Sequence, residues 1–238
     1  MTGRNPLAAV AAAVAVAAAA PACVSLKRTP EARFFVLRAL AEPDAASEAA
    51  RAPGLVGLHP VSLPDYLERP QLVTWVASGE LRLDEYLRWA EPVDAGLHRT
   101  LAANLEALLP ETRVVRAPWP SSARLGLRVR VELQRFGPQA GGEALLEGRF
   151  AVLPAEGERP LVARPVSLKR GPLAPGPAGA DPGAGVEAMS RLVADLAREI
   201  ASALRSLPAE SAPVGKVKIQ DLTPSGIGTG ETRQTSRQ

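Results

Sequence analysis

The chain has 238 residues, enough for one domain with appendages or for two small domains. Its 28 basic and 25 acidic residues give a net charge of +3, and setting aside residues 1–22, whose only charge is Arg4, leaves +2, too small a surplus for a nucleic-acid partner held by phosphate neutralisation. A single cysteine and two histidines, His59 and His98, exclude a disulfide framework and a cysteine zinc cluster and argue against a histidine metal site, so no metal or cofactor is expected.

Residues 1–22 read as an export signal: a weakly positive start at Arg4, an apolar run from Leu7 to Ala20, and small residues before Cys23. As a helix, residues 7–20 would span about 21 Å, short of the roughly 30 Å hydrocarbon core, so a permanent transmembrane helix is the weaker reading. Ala20-Pro21-Ala22 fits ordinary signal peptidase, whereas Ala22-Cys23 fits acylation of the Cys23 thiol. A lone thiol beginning an exported chain has no partner but is what lipidation requires, which favours Cys23 as the lipid attachment site. Val24 follows, where aspartate would favour inner-membrane retention, so by resemblance to sorted lipoproteins the outer membrane is expected.

Residues 23–33 form the lipidated tether. Phe34–Leu37 is predicted as a buried strand, 41–53 as a loop with some helical character, and Leu55–Leu58 with Val61 as a second strand. Pro64-Asp65-Tyr66-Leu67-Glu68-Arg69-Pro70 is bracketed by prolines and reads as a turn or one helical turn. Gln71–Val76 and Leu81–Leu87 pair as a hairpin around Ser78-Gly79. Val93, Leu97, Leu101, Leu105 and Leu108 then recur at three- and four-residue intervals, which predicts a helix beginning near Pro92 or Asp94, stopping at Pro110, and packing one face on a sheet.

From Arg124 to Leu133, apolar residues alternate with Gly126, Arg128, Arg130 and Glu132, the pattern of a strand with one core face. A loop through 136–142 leads to a returning strand over Leu146–Val152. Leu161–Leu168 is interrupted by Pro165, which demotes it to an edge or bulged strand. Residues 171–185 read as a Pro/Gly/Ala loop, Val186 to Leu207 as a second amphipathic helix ended by Pro208, and 208–238 as a disordered tail. The expected fold is α+β: a single domain over 34–207 with a mostly antiparallel sheet and two amphipathic helices on one face.

No glycine-rich phosphate loop or G-x-S-x-G elbow is present, and no nucleophile has an identifiable base, so an enzyme is not expected. Asp84 and Glu85 are consecutive on a strand and point to opposite faces. His59 and His98 read as structural. Arg128 and Arg130 share a polar face that Arg124 and Arg149 could extend, read first as a solvated surface of mixed charge and second as a docking surface. Trp75, Trp89 and Tyr86 admit a buried reading and an interface reading. Tyr66 and Arg69, on the proline-bracketed turn, are candidate partner contacts with Trp75 and Trp89.

The run Val56 to Thr74, containing Pro64-Asp65-Tyr66-Leu67-Glu68-Arg69, followed by Leu83-Asp84-Glu85-Tyr86 and Arg88-Trp89-Ala90-Glu91-Pro92, resembles the ABC-type transport auxiliary lipoprotein family, whose best-known members are PqiC-type lipoproteins. The resemblance is specific over about residues 34–110 and architectural to about 207. It departs at Trp75, where many relatives carry arginine. It implies a non-enzymatic accessory of an MCE-type lipid-transport system, anchored by Cys23 to the outer membrane, docking onto a periplasmic MCE-domain protein, and able to form a homo-oligomeric ring. The alternative is a periplasmic scaffold for other envelope proteins without lipid transport.

Overall fold

The computed structural model describes residues 30–42, 54–76, 79–140, 142–171, 175–176 and 179–207; the expected signal segment, Cys23, most of the tether, loop residues 43–53 and the tail 208–238 lie outside them. In chain order the elements are β1 (Arg33–Phe35), β2 (Leu55–Leu58), a single 3-10 turn (Asp65–Leu67), β3 (Gln71–Trp75), β4 (Leu81–Trp89), α1 (Val93–Leu108), β5 (Arg113–Arg116), β6 (Leu127–Pro138), β7 (Ala144–Pro154), β8 (Val162–Arg170), the short strands β9 (Pro175–Gly176) and β10 (Gly179–Ala180), and α2 (Pro182–Ser206). This is the α+β arrangement expected, with both helices on one face of a five-stranded sheet.

That sheet runs β5-β2-β6-β7-β8, and a three-stranded sheet runs β1-β4-β3. The β6-β7-β8 meander and the β3-β4 hairpin are antiparallel, as the turns between them require. β2 lies parallel to both β5 and β6, and β1 lies parallel to β4. The short run Leu55–Leu58 carried no sign of that central place, except that Val56, Gly57 and Leu58 are all buried, as suits a strand covered on both faces.

The helices form where the apolar stripe predicted them. Val93, Leu97, Leu101, Leu105 and Leu108 of α1 are all buried, Asp94 lies in its first turn, and the Leu109 N–H closes the last turn onto the Leu105 carbonyl before Pro110. α2 begins at Pro182, inside the predicted loop 171–185. There Asp181 caps it by accepting from the Ala184 N–H at 3.0 Å, and proline is favoured at the first helical position, where its missing N–H costs nothing.

Several strand boundaries differ from expectation, and two of the differences alter the packing. β6 runs on to Pro138 through residues expected to be loop, with a register shift between Leu133 and Arg135. Glycine is required opposite this shift, because a Cβ at Gly148 would overlap the Glu132 carbonyl. The predicted buried strand 34–37 is a short edge whose alternation sends Leu37 into the core and leaves Phe34 63% and Val36 45% exposed.

Candidate functional site

The proline-bracketed segment forms its single turn, closed by the Leu67 N–H on the Pro64 carbonyl at 2.9 Å. Leu67 is buried and pins the turn, which leaves Tyr66 half-buried above it. The Tyr66 hydroxyl donates to the Gln134 carbonyl at 2.5 Å, and its ring meets Trp75 edge to face, with centroids 5.4 Å apart and planes at 89°. Burial pushes the Tyr66 phenol above its ordinary value, against the pull of the Arg135 guanidinium.

Trp75 ends β3 where that strand crosses β6. Its carbonyl accepts from the Ala140 N–H at 2.7 Å, and a single bridge pairs it with Gln139. Gly137 permits the crossing: a Cβ there would lie 2.9 Å from the Val73 carbonyl oxygen, and its φ of 154° disfavours any side chain. Over the Trp75 ring lies the Arg135 guanidinium, 4.4 Å from the centroid, and Arg135 also pairs with Glu147 at 3.1 Å. The buried Trp75 Nε1 and Arg135 Nε find no hydrogen-bond acceptor among the described residues.

Of the four residues singled out from sequence, Tyr66 and Trp75 therefore come into contact. Arg69 is exposed on the same segment, with no side-chain ion pair or hydrogen bond among the described residues. Trp89 does not join them. It is 8% exposed, sits in the core opposite Phe35, and its N–H donates to the Pro70 carbonyl at 2.7 Å, so it fixes the end of the turn and presents no surface to a partner.

Sequence reading missed Arg135, Glu147 and Gln134. Strict alternation from Arg128 through Arg130 and Glu132 would send Arg135 to the core, and only the register shift after Leu133 brings it onto the outer face.

Three of the four arginines that were singled out are held by carboxylates, and Arg124 has no ion pair among the described residues. Arg128 and Arg130 both hold Glu158, at 3.2 and 2.8 Å, and Arg149 holds Glu132 at 2.6 Å. These two arginines depress the Glu158 carboxyl below its ordinary value. The surface is thus one of mixed charge, as in the first of the two readings.

Three of the remaining titratable candidates, Asp84, Glu85 and His98, have local hydrogen-bond partners, whereas the buried His59 Nε2 has none among the described residues. Asp84 accepts from the Tyr86 N–H at 2.8 Å, and Glu85 accepts from the Gln71 side-chain amide at 3.2 Å. His98 is buried, with its Nε2 2.9 Å from the Leu58 carbonyl. His59 stands edge-on to Trp119 at 4.9 Å, and burial, then Arg130 and Arg128, lower its pKa. Among the described residues there is no group of three or more His, Cys, Asp or Glu able to hold a metal ion. None of the described helices is long and apolar enough to cross a membrane.

Comparison with known proteins places this arrangement in context. A crystal structure of an uncharacterized protein superposes with a TM-score of 0.57 at 20% identity, covering 74% of this chain and 99% of that one. Protein XCC0632 from Xanthomonas campestris superposes with a TM-score of 0.59 at 16% identity, covering 73% and 95%. At these identities the likeness shows the fold. The PelC dodecamer from Paraburkholderia phytofirmans follows at a TM-score of 0.37 and 11% identity over 73% and 96%, too distant to carry an argument. No curated protein sequence matches. The model of the ABC-type transport auxiliary lipoprotein component matches residues 35–201, which span β1 to α2 and include the Tyr66–Trp75–Arg135 cluster, and the chain belongs to that family of auxiliary lipoproteins of ABC-type transport.

Proposed function

We propose that Cys23 is acylated and fixes the domain to the periplasmic face of the outer membrane, where it serves an MCE-type ABC lipid-transport system by docking onto a periplasmic MCE-domain assembly. Family membership over residues 35–201 supports an accessory role in ABC-type transport. The observation that carries a docking role is the Tyr66–Trp75–Arg135 cluster with Arg69 beside it. Tyrosine, tryptophan and arginine are the residue types that dominate binding energy at protein interfaces, and here the rings are already held in one orientation. Self-association into a ring belongs to the same proposal, since a ring suits docking onto a symmetric tube.

Co-purification tests it. With the tagged full chain extracted from membranes, Trp75→Ala and Tyr66→Ala are each expected to reduce recovery of the MCE-domain protein by at least about tenfold, and Arg69→Ala to reduce it less. Circular dichroism confirms that each variant is folded. Unchanged recovery with all three folded variants would make the segment a structural turn. Stable recovery of unrelated envelope proteins, and never of an MCE protein, would favour the scaffold reading.

A further inference from the structure

Among the described residues, five large hydrophobic side chains are exposed, and two of them, Phe34 and Val36, share one outward face at β1. Phe35, Leu37, Leu87 and Trp89 turn toward the core, so alternation sends Phe34, Val36 and Arg88 outward, and Phe34 lies directly opposite Arg88. Phe34 is 63% and Val36 45% exposed. A groove of about 250 Å³ continues this surface from Phe34 and Val36 to Gly183, Val186 and Ser190 at the start of α2.

Arginines flank the apolar centre. Arg38 approaches Glu187 at 3.6 Å, too long for a hydrogen bond and with both side chains largely exposed, so it can exchange its carboxylate for another anion at little cost. Apolar side chains and arginines on one small face match the interface of an anionic bilayer, where rings and aliphatic groups enter the headgroup layer and cations meet the phosphates.

The chain leading into this face also points to the bilayer. Phe34 is eleven residues beyond Cys23, a contour of at most about 40 Å, and Lys27 and Arg28 lie between them. Acylation at Cys23 would hold the patch within that distance of a lipid surface and make its contact effectively intramolecular. We infer that the Phe34–Val36 face, with Arg38 and Arg88, rests on the surface of the bilayer that holds the Cys23 acyl chains. This rests on the acylation of Cys23 proposed above. The acyl chains supply the anchor, and the patch fixes the orientation of the domain on the membrane.

The test uses the full chain extracted from membranes and reconstituted into vesicles of phosphatidylethanolamine and phosphatidylglycerol carrying a lipid brominated on its acyl chains. Phe34→Trp is expected to show quenching well above that of the three native tryptophans, and Leu161→Trp, at an exposed apolar position on the β7–β8 connection, is expected to show none beyond them. A second arm uses the Cys23→Ser chain, which has no thiol to acylate. It is expected to float with phosphatidylglycerol-containing vesicles more than with phosphatidylcholine vesicles, and Phe34→Ser with Val36→Ser should lower the bound fraction by about tenfold.

Intact mass separates the two premises. Absence of acyl chains would overturn the anchor while flotation still reports on the patch. Acyl chains with an unquenched Phe34→Trp and lipid-indifferent flotation would overturn the patch and leave the anchor standing. An unquenched Phe34→Trp accompanied by a Phe34→Ser change in sedimentation would overturn it in favour of a second copy of the chain on this face.

Discussion

Gly137→Ala isolates the contact on which the candidate docking site depends. Glycine within a strand ordinarily weakens it, so replacement by alanine should stabilise a protein by about 0.5–1 kcal/mol. Here two terms oppose that gain. The added Cβ would stand 2.9 Å from the Val73 carbonyl oxygen, a backbone atom that moves only if β3 moves, and overpacking of this kind costs about 1–3 kcal/mol. The φ of 154° lies where only glycine is comfortable, which adds about 1–3 kcal/mol. The net expectation is a loss of about 2 kcal/mol, or roughly 4–8 °C in Tm for a domain of this size. Gly54→Ala, with nothing within 4 Å of its Cβ and no unusual φ, should stay within about 0.5 kcal/mol of the parent. Urea and thermal unfolding of the three proteins give the comparison, and the indole N–H resonance of Trp75, assigned with Trp75→Phe, reports whether β3 has shifted. A Gly137→Ala protein as stable as the parent, with that resonance unmoved, would show that β3 does not approach β6 as closely as described.

Two further expectations follow from caps and charges. Asp181→Ala removes the acceptor for the Ala184 N–H and should cost about 1 kcal/mol in urea unfolding, with Asp181→Asn recovering most of it; an Asp181→Ala protein of unchanged stability would mean that Pro182 alone starts α2. His59 binds protons less readily in the folded state than in the unfolded one, so the unfolded chain takes up more protons as the pH falls below about 6.5 and stability declines there. Urea midpoints at about pH 7.5 and about pH 5.5 should therefore differ more for the parent than for His59→Gln, and equal differences would remove His59 as the cause.

Much of the architecture was legible because it is written in short-range pattern. The leucine stripe of α1 and the alternation of β6 each follow from burial on one face, and Pro165 placed β8 at the sheet edge. Parallel pairing was not legible. Leu55–Leu58 meets β5 and β6 only after long intervening segments, and nothing in four residues specifies a partner so far along the chain. The start of α2 was hidden by composition: glycines and alanines around residue 183 read as loop, although Asp181-Pro182 carried a cap and a first-turn proline that outweigh them.

The candidate site divides along the same line. Tyr66 and Trp75 were accessible to sequence reading because the prolines at 64 and 70 isolate a turn beside a strand, and an aromatic residue on each has few places to go. Trp89 was ambiguous because it lies at the end of β4, where either face could be buried. The pairing of Phe35 with Trp89 on the inner face decides the matter, and the same pairing turns Phe34 outward. Arg135 could not be found by counting, since one register shift moves it from the core face to the ring of Trp75. The two exposed surfaces thus have different origins. The Tyr66–Trp75–Arg135 cluster is made by a bulge and a close strand crossing, which fix its geometry before any partner arrives and suit recognition of a specific protein surface. The Phe34–Val36 face is made by plain alternation on a short edge strand, with no polar group held in a defined direction, and such a surface is better suited to a fluid bilayer than to a shaped partner.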